Sequence, residues 1–263
     1  MAEQPTTRPV ALITGASGGI GEALAYKVGG DGYRLVLVAR NSEELNRVAG
    51  VIATKLDIPT LALPIDLSQA DAIDTLDSEL EKRGLVPDLV INNAGFGLRG
   101  AAAALDHDSQ MNMIDLNIRA LTELSLRCAR AMKQRGHGGI INISSTAAYI
   151  PGPHMAVYYA TKAFVSSFTE ALAVELKPHG VQVTSVVPGV TKTDFQRRAG
   201  LEDALLVKAA PSMSPEQVAE IGYAGFKKGK KVVITGGLNW LTAHLFRVMP
   251  RRLLLPVLNR MQG

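Results

Sequence analysis

The order in which apolar runs and helical stretches follow one another limits this chain most. Residues 10–14, 34–39, 59–64, 88–92, 140–143, 181–187 and 231–235 form short apolar runs, nearly continuous rather than alternating. Strands of that kind are buried on both faces, as in a parallel sheet. Between them, helix-like stretches begin at Glu22, fill 43–55, 69–83 and 106–135, and close at Lys177. Each can carry the chain back across the sheet. The expectation is an α/β fold, one doubly wound parallel sheet of about seven strands forming a single domain over residues 10–237 of the 263. In such sheets ligands sit beyond the carboxyl ends of the strands. That edge would gather 15–21, Arg40, Asp66, 92–95 and Ser145.

The first run, VALIT, is followed at once by GASGGIG and then by a helix. Gly15, Gly19 and Gly21 permit a tight turn and a close backbone approach, and free amides at the helix start attract a pyrophosphate. The spacing is Gly-x-x-x-Gly-x-Gly, so the turn alone is also compatible with a plain sharp bend. At the end of the second run an acid would bind both ribose hydroxyls of NAD. Here Ala39 is neutral and Arg40 can pair with a 2′-phosphate, which favours NADP(H). Ser17 could add a hydroxyl donor, and the alternative for Arg40 is a solvated strand-end cation. Asp66, two residues past a run, could accept from an adenine amino group or cap the stretch beginning near Ser68.

Residues 141–162, IINISSTAAYIPGPHMAVYYATK with its preceding isoleucine, hold hydroxyl, phenol and amine groups at usable spacings. If the chain turns helical after Pro153, Tyr158 and Lys162 lie one turn apart on one face. A neighbouring ammonium would lower the phenol pKa toward working pH. Ser144 or Ser145, just past a strand, could hold a substrate oxygen, and Tyr159 is as plausible as Tyr158 by reach alone. Along 106–135 the apolar positions Met111, Ile114, Ile118, Leu121, Cys128 and Met132 keep helical spacing until Gly136. Asn117 interrupts them, and a polar amide there either braces the core or joins a site.

Some classes of function fall away. The opening nine residues are polar, contain two prolines and lack a signal-peptide pattern, so a disordered segment is expected at 1–9. Cys128 is the single cysteine, which permits no internal disulfide and suits a reducing, cytoplasmic compartment. It reads as helix packing. The longest uncharged segment, 136–161, is broken by glycines and prolines and is no membrane span. The five histidines are scattered without ligand spacing, so no metal site is expected, and His154 reads as a loop or substrate-contact residue.

With these residues in view, the chain resembles the short-chain dehydrogenase/reductase family, whose sheet is Rossmann-like, over residues 10–237. The motifs that carry the resemblance stand in order: TGASGGIG at 14–21, the aspartate of IDL at Asp66, NNAG at 92–95, Asn117, and Ser145 with Tyr158-x-x-x-Lys162. Pro188-Gly189 with Thr191 and Thr193 looks like the segment that closes on the nicotinamide. The resemblance selects Ser145 over Ser144 and Tyr158 over Tyr159. It implies hydride transfer between NADP(H) and a carbonyl or secondary alcohol. Tyr158 would exchange the proton, Lys162 would hold the nicotinamide ribose and depress the phenol, and Ser145 would polarise the substrate oxygen. Asn117 would hold a water linking Lys162 to solvent. Gly15, Ser17, Gly19, Ile20 and Gly21 would cradle the cofactor, with Arg40, Asp66 and Leu67 toward its adenosine end. Asn93, Tyr158, Lys162, Thr191 and Thr193 would contact its other end. A competing reading is a dinucleotide-binding module that has lost its chemistry and acts as a redox-responsive interaction protein; the intact set Asn117, Ser145, Tyr158 and Lys162 argues against it. The resemblance also implies a homodimer or homotetramer built on the helices around Asn117 and after Lys162.

Two segments exceed these motifs. Residues 194–215 form an expected substrate lid whose Leu201, Leu205, Leu206, Val207 and Met213 suggest an apolar cover, hence a medium or large apolar substrate. The tail 238–263 is expected to be helical and mixes apolar side chains with arginines. Beyond Glu220 the chain carries eight of its 28 lysines and arginines and no acidic side chain. Such a mixture suits the surface of an anionic membrane, a channel for an acyl substrate, or packing on the body or a neighbouring subunit. No recognised nucleic-acid motif accompanies the charge.

Overall fold

A computed structural model describes residues 8–201, 204 and 211–262. The seven runs form one sheet, β1 (Val10–Thr14), β2 (Arg34–Ala39), β3 (Thr60–Pro64), β4 (Leu89–Asn92), β5 (Gly138–Ile143), β6 (Val181–Val187) and β7 (Val232–Ile234). Their order is β3-β2-β1-β4-β5-β6-β7, and every pairing is parallel. The order reverses between β1 and β4, and a crevice opens there at the strands' carboxyl ends.

Side chains alternate across each strand, so two cores form. Ala11, Ile13, Leu35, Leu37 and Ile91 face α1 (Gly19–Gly30), α2 (Ser42–Leu56) and the helix Pro215–Lys227, which is α8. Val10, Leu12, Val36, Val38 and Val90 face α3 (Ala72–Glu81), α5 (Leu121–Arg135) and α6 (Ala156–Leu176). Leu12, Ile13, Leu35 and Leu37 are wholly shielded, as a parallel sheet covered on both faces requires. Burial of each such side chain contributes roughly 1.5–3 kcal/mol. The two buried asparagines inside the sheet are paired. Asn92 Nδ2 donates to Asn142 Oδ1 at 2.8 Å and to Ser125 Oγ at 2.9 Å, and Asn142 Nδ2 donates to Thr169 Oγ1 at 3.0 Å. This chain of bonds ties β4 and β5 to α5 and α6.

Three expectations change. Arg8 and Pro9 are anchored: Arg8 donates to the Asp57 carbonyl and Pro9 accepts from Arg34 N; residues 1–7 of the segment expected to be disordered lie outside the described residues. The stretch 106–135 is helical but not uniformly so, running from α4 (His107–Ile114) through a π-helical turn (Asp115–Ala120) into α5. The wider turn rotates the apolar stripe, so Met111 is exposed while Met113, Asn117 and Ala120 turn inward. Helix α3 is shorter than 69–83 at both ends: a turn from Asp66 to Gln69 precedes it, and Gly84 N and Leu85 N close its far end on the carbonyls of Glu81 and Leu80. The tail is helical as expected, with α9 (Gly237–Val248) and α10 (Arg251–Gln262); α7 is the short helix Phe195–Arg198. Among the described residues no helix is long and apolar enough to cross a membrane.

Candidate active site

The crevice is a cleft of about 950 Å³ running from Arg40 to Tyr158. Its floor is the glycine turn after β1. Gly15 and Gly19 have φ of 64° and 57°, and a Cβ on Gly15 would lie 2.8 Å from Ala94 Cα. One on Gly21 would lie 2.2 Å from the Gly15 carbonyl oxygen. Only glycine fits such contacts. The turn is pinned from the neighbouring strand. Asn93 Nδ2 donates to the carbonyls of Thr14 and Gly15, and Thr14 Oγ1 accepts from the amides of Asn93 and Ala94 at 3.0 Å. Thr14 was not singled out in the sequence, since a hydroxyl ending a strand carries no pattern of its own.

Gly15, Ser17, Gly19, Ile20, Arg40, Asp66, Leu67, Asn93, Thr191 and Thr193 all line this cleft. Gly21 lies behind it, against Gly15. Arg40 is exposed at the end of β2. Asp66 accepts from both the amide and the hydroxyl of Ser68, at 3.0 and 2.8 Å. Burial acts to raise its carboxyl pKa, but those two bonds and the charge of Arg40 outweigh it and hold the group below the usual value. The helix cap considered for Asp66 is absent, because α3 begins only at Ala72. Arg47, unremarked in the sequence, reaches the same wall from α2 and pairs with Glu44 at 2.8 Å.

At the other end, β5 delivers Ser144 and Ser145 and α6 delivers Tyr158 and Lys162. Ser144 Oγ is bonded to the Lys162 carbonyl at 3.0 Å and to Ser166 Oγ at 2.7 Å, so it fastens α6 to β5. Ser145 caps the short 3-10 turn Thr146–Tyr149, accepting from Ala147 N at 3.1 Å, and hydrogen-bonds Tyr158. Lys162 Nζ donates to the Ile143 carbonyl at 2.9 Å and lies 5.9 Å from the centre of the Tyr158 ring. Tyr158 is also walled by Phe195, ring centres 5.3 Å apart, a contact no spacing rule reveals.

The electrostatics differ from the sequence expectation. Burial pushes the Tyr158 phenol well above its ordinary value, with the Ser145 hydrogen bond acting the other way. Burial also lowers the Lys162 ammonium to about 8. In a region this dry each charged form is disfavoured, and the ammonium is engaged with a backbone carbonyl, so desolvation outweighs attraction. Asn117 is buried behind the cleft. Its Nδ2 donates to the Phe96 carbonyl at 3.0 Å and to Thr161 Oγ1 at 3.1 Å, while its Oδ1 accepts from Phe96 N at 3.1 Å. A Cβ on Gly95 would sit 2.9 Å from Asn117 Oδ1 and 3.5 Å from Lys162 Nζ, so Gly95 lets the two side chains approach.

Beyond Tyr158 the walls are apolar. Leu201, Ala204 and Ala199 are buried with Met113, Ala147 and Met155. The far end of the segment 194–215 is fixed where Lys192 N donates to the Met213 carbonyl at 2.9 Å and Met213 N to the Val190 carbonyl at 3.0 Å. Leu205, Leu206 and Val207 lie outside the described residues. Cys128 packs partly buried against the core, its thiol pushed up to about 12 by burial, which fits a packing role. The described residues contain no cluster of three metal-ligating side chains.

With this geometry set out, comparison decides the family: the short chain dehydrogenase sequence model matches residues 9–204. The chain belongs to the short-chain dehydrogenase family. This short-chain dehydrogenase is 36% identical over 200 residues to an uncharacterised oxidoreductase from Staphylococcus epidermidis, covering 73% of this chain and 85% of that one. It is 33% identical over 227 residues to a fatty acyl-CoA reductase from Acinetobacter baylyi, covering 85% of this chain and 75% of the relative. Among solved structures, a short-chain dehydrogenase from Sphingobium yanoikuyae in complex with NADPH superposes with a TM-score of 0.81 at 30% identity, covering 92% of this chain and 97% of that one. The chain is thus an oxidoreductase of this family with its seven-stranded Rossmann-like sheet.

The depressed ammonium has a measurable consequence for this dehydrogenase. Lys162 ordinarily titrates at 10.5 and in the fold at about 8. Between those values the unfolded chain holds more protons than the folded one, so the penalty for burying the charge is full below pH 8 and relieved as pH rises. Replacing Lys162 by Met is therefore expected to stabilise the protein at pH 7 by about 1–3 kcal/mol. Urea midpoints should show that margin shrinking between pH 8 and 10. A margin that grew with pH would contradict a desolvated ammonium.

Proposed function

We propose that the protein is an NADP(H)-dependent oxidoreductase interconverting a carbonyl and a secondary alcohol on a medium or large apolar substrate. The observation that carries this reading is one continuous cleft, with a glycine-walled floor and Arg40 at one end and Ser145, Tyr158 and Lys162 converging under apolar walls at the other. The floor has the close approach that a dinucleotide backbone needs. Amides at the start of α1 would hold the pyrophosphate, and Arg40 with Ser17 the 2′-phosphate. Asp66 and Leu67 would border the adenine, and Asn93, Thr191 and Thr193 the nicotinamide end. When bound, the dinucleotide supplies or accepts a hydride at the substrate carbon.

In the reducing direction negative charge builds on the carbonyl oxygen, and fixed donors there stabilise the transition state. Ser145 donates to that oxygen, and Tyr158 gives up its phenolic proton to it, recovering one from water afterwards. Burial keeps the phenol protonated at neutral pH, so the donor form is present before reaction. Lys162 lends positive charge beside the phenolate that forms. We assign Asn117 a positioning role, holding the 95–96 backbone against Lys162, rather than the water-holding role the resemblance implies. The reading of a dinucleotide binder without chemistry is not favoured, since nothing about binding alone calls for Ser145, Tyr158 and Lys162 to converge.

Met111, Leu126, Phe164 and Val174 are exposed on α4, α5 and α6, and we propose that these helices pair in a homodimer or homotetramer. Sedimentation at micromolar concentration should show that assembly, and a monomer there would refute it. A panel of apolar ketones assayed with NADPH tests the reaction. Tyr158→Phe removes only the hydroxyl and should lower turnover about 10²–10⁴-fold while NADPH binding persists; undiminished turnover would refute the assignment. Arg40→Ala should weaken NADPH about ten- to hundred-fold and NADH far less. Equal weakening of the two would remove Arg40 from the phosphate site.

A further inference from the structure

The chain's exposed large apolar side chains are not spread evenly. Of those among the described residues, Leu238, Trp240, Leu241, Leu245 and Val257 fall within the two tail helices, each half or more exposed. Singly scattered apolar groups need no explanation, but a contiguous set marks an interaction surface. The set is ordered by how the helices are anchored. On α9 the body-facing side carries Ala243, which is buried, and Asn239, whose Nδ2 donates to the Thr235 carbonyl at 2.7 Å. Leu238, Leu241 and Leu245 occupy the opposite side at 100° per residue, and Trp240 is exposed on its flank. On α10, Leu254 and Leu258 are buried and Asn259 Oδ1 meets His154 Nε2 at 3.0 Å. Val257, Arg252 and Arg260 are exposed around the rest of this helix.

The described charged side chains of the tail helices have one sign. Arg251, Arg252 and Arg260 are exposed, and from 238 to 263 the sequence contains no acidic side chain. A second copy meeting this surface across a two-fold axis would set arginine against arginine with no carboxylate to pair. An anionic surface that also accepts apolar side chains matches it. Helix α9 has 12 residues, roughly 18 Å of rise against a hydrocarbon core of roughly 30 Å, so it can lie in the headgroup region but not cross. Tryptophan beside arginine is the composition that region favours.

We propose that the outward faces of α9 and α10 dock this protein on an anionic lipid bilayer surface. The location gives the contact a use. Helix α9 packs against the turn Thr146–Tyr149 that follows Ser145, and α10 is tied to the loop before Tyr158. The lipid-facing helices thus border the substrate end of the cleft. An apolar carbonyl compound dissolved in the bilayer would enter beside them; that use rests on the proposed function, whereas docking itself does not.

Trp240 is the chain's only tryptophan, so its emission reports on this face alone. The full-length protein is titrated with phosphatidylcholine vesicles containing phosphatidylglycerol, at low and high salt. The expected result is a blue shift of Trp240 emission, quenching by lipids brominated on the acyl chains, and loss of both as salt rises. The double substitution Leu241→Glu with Leu245→Glu should abolish binding while circular dichroism stays unchanged. Arg251→Gln with Arg252→Gln should reduce the preference for anionic over neutral vesicles. Unchanged Trp240 emission at low salt overturns the proposal, even if the protein sediments with vesicles through another surface. A blue shift that grows with protein concentration without lipid also overturns it, because a second copy would then cover the face. None of these readouts involves turnover, so failure here and failure of the catalytic assignment are separable.

Discussion

The glycine turn after β1 touches the end of β4 so closely that no side chain fits between them, and the cleft takes its shape from that contact. Thr14 and Asn93 hold the two strand ends with reciprocal hydrogen bonds between side chain and backbone. At this edge the strand ladder ends and backbone groups need other partners. Supplying them from side chains leaves the first amides of α1 facing the crevice. A dinucleotide floor and a rigid strand junction are then one structure, and weakening the junction would deform both.

The reactive end depends on a different balance. Tyr158 and Lys162 sit where water is excluded, and exclusion disfavours phenolate and ammonium alike. In the reaction proposed here a protonated phenol beside a lysine with a lowered pKa would store the donor for reduction. Ser144 contributes indirectly by fastening α6 to β5, while Ser145 keeps its hydroxyl at the cleft wall. The asparagine of the π turn completes the support. Its amide satisfies both backbone groups of Phe96 and the Thr161 hydroxyl, which a uniform α-helix would not present to it.

The tail extends this arrangement outward. Among the described residues its helices are held by buried Ala243, Leu254 and Leu258 and by two asparagine contacts, one near Thr235 and one at His154. The remaining faces stay apolar and basic. Because those helices adjoin the stretch between Ser145 and Tyr158, the tail and that end of the cleft belong to the same part of the molecule.

By itself the sequence determined the strand order's raw material, the glycine turn, and the residues that the cleft would collect, because each rests on local rules: buried strands read as apolar runs, tight turns need glycine, and residues four apart share a helix face. The neutral Ala39 followed by Arg40 was equally legible, as was the unbalanced charge of the tail. Tertiary structure decided what depends on groups far apart in the chain. It set burial above attraction at Tyr158, since desolvation reflects every element packed around a group and not its helical neighbour. It brought Phe195 and Arg47 to the cleft, anchored Arg8 and Pro9, and rotated the stripe of residues 106–135 through the π turn so that Met111 faces outward. And it alone separated the anchored from the outward side of each tail helix, because amphipathic spacing shows that a helix has two faces but not which of them the body will cover.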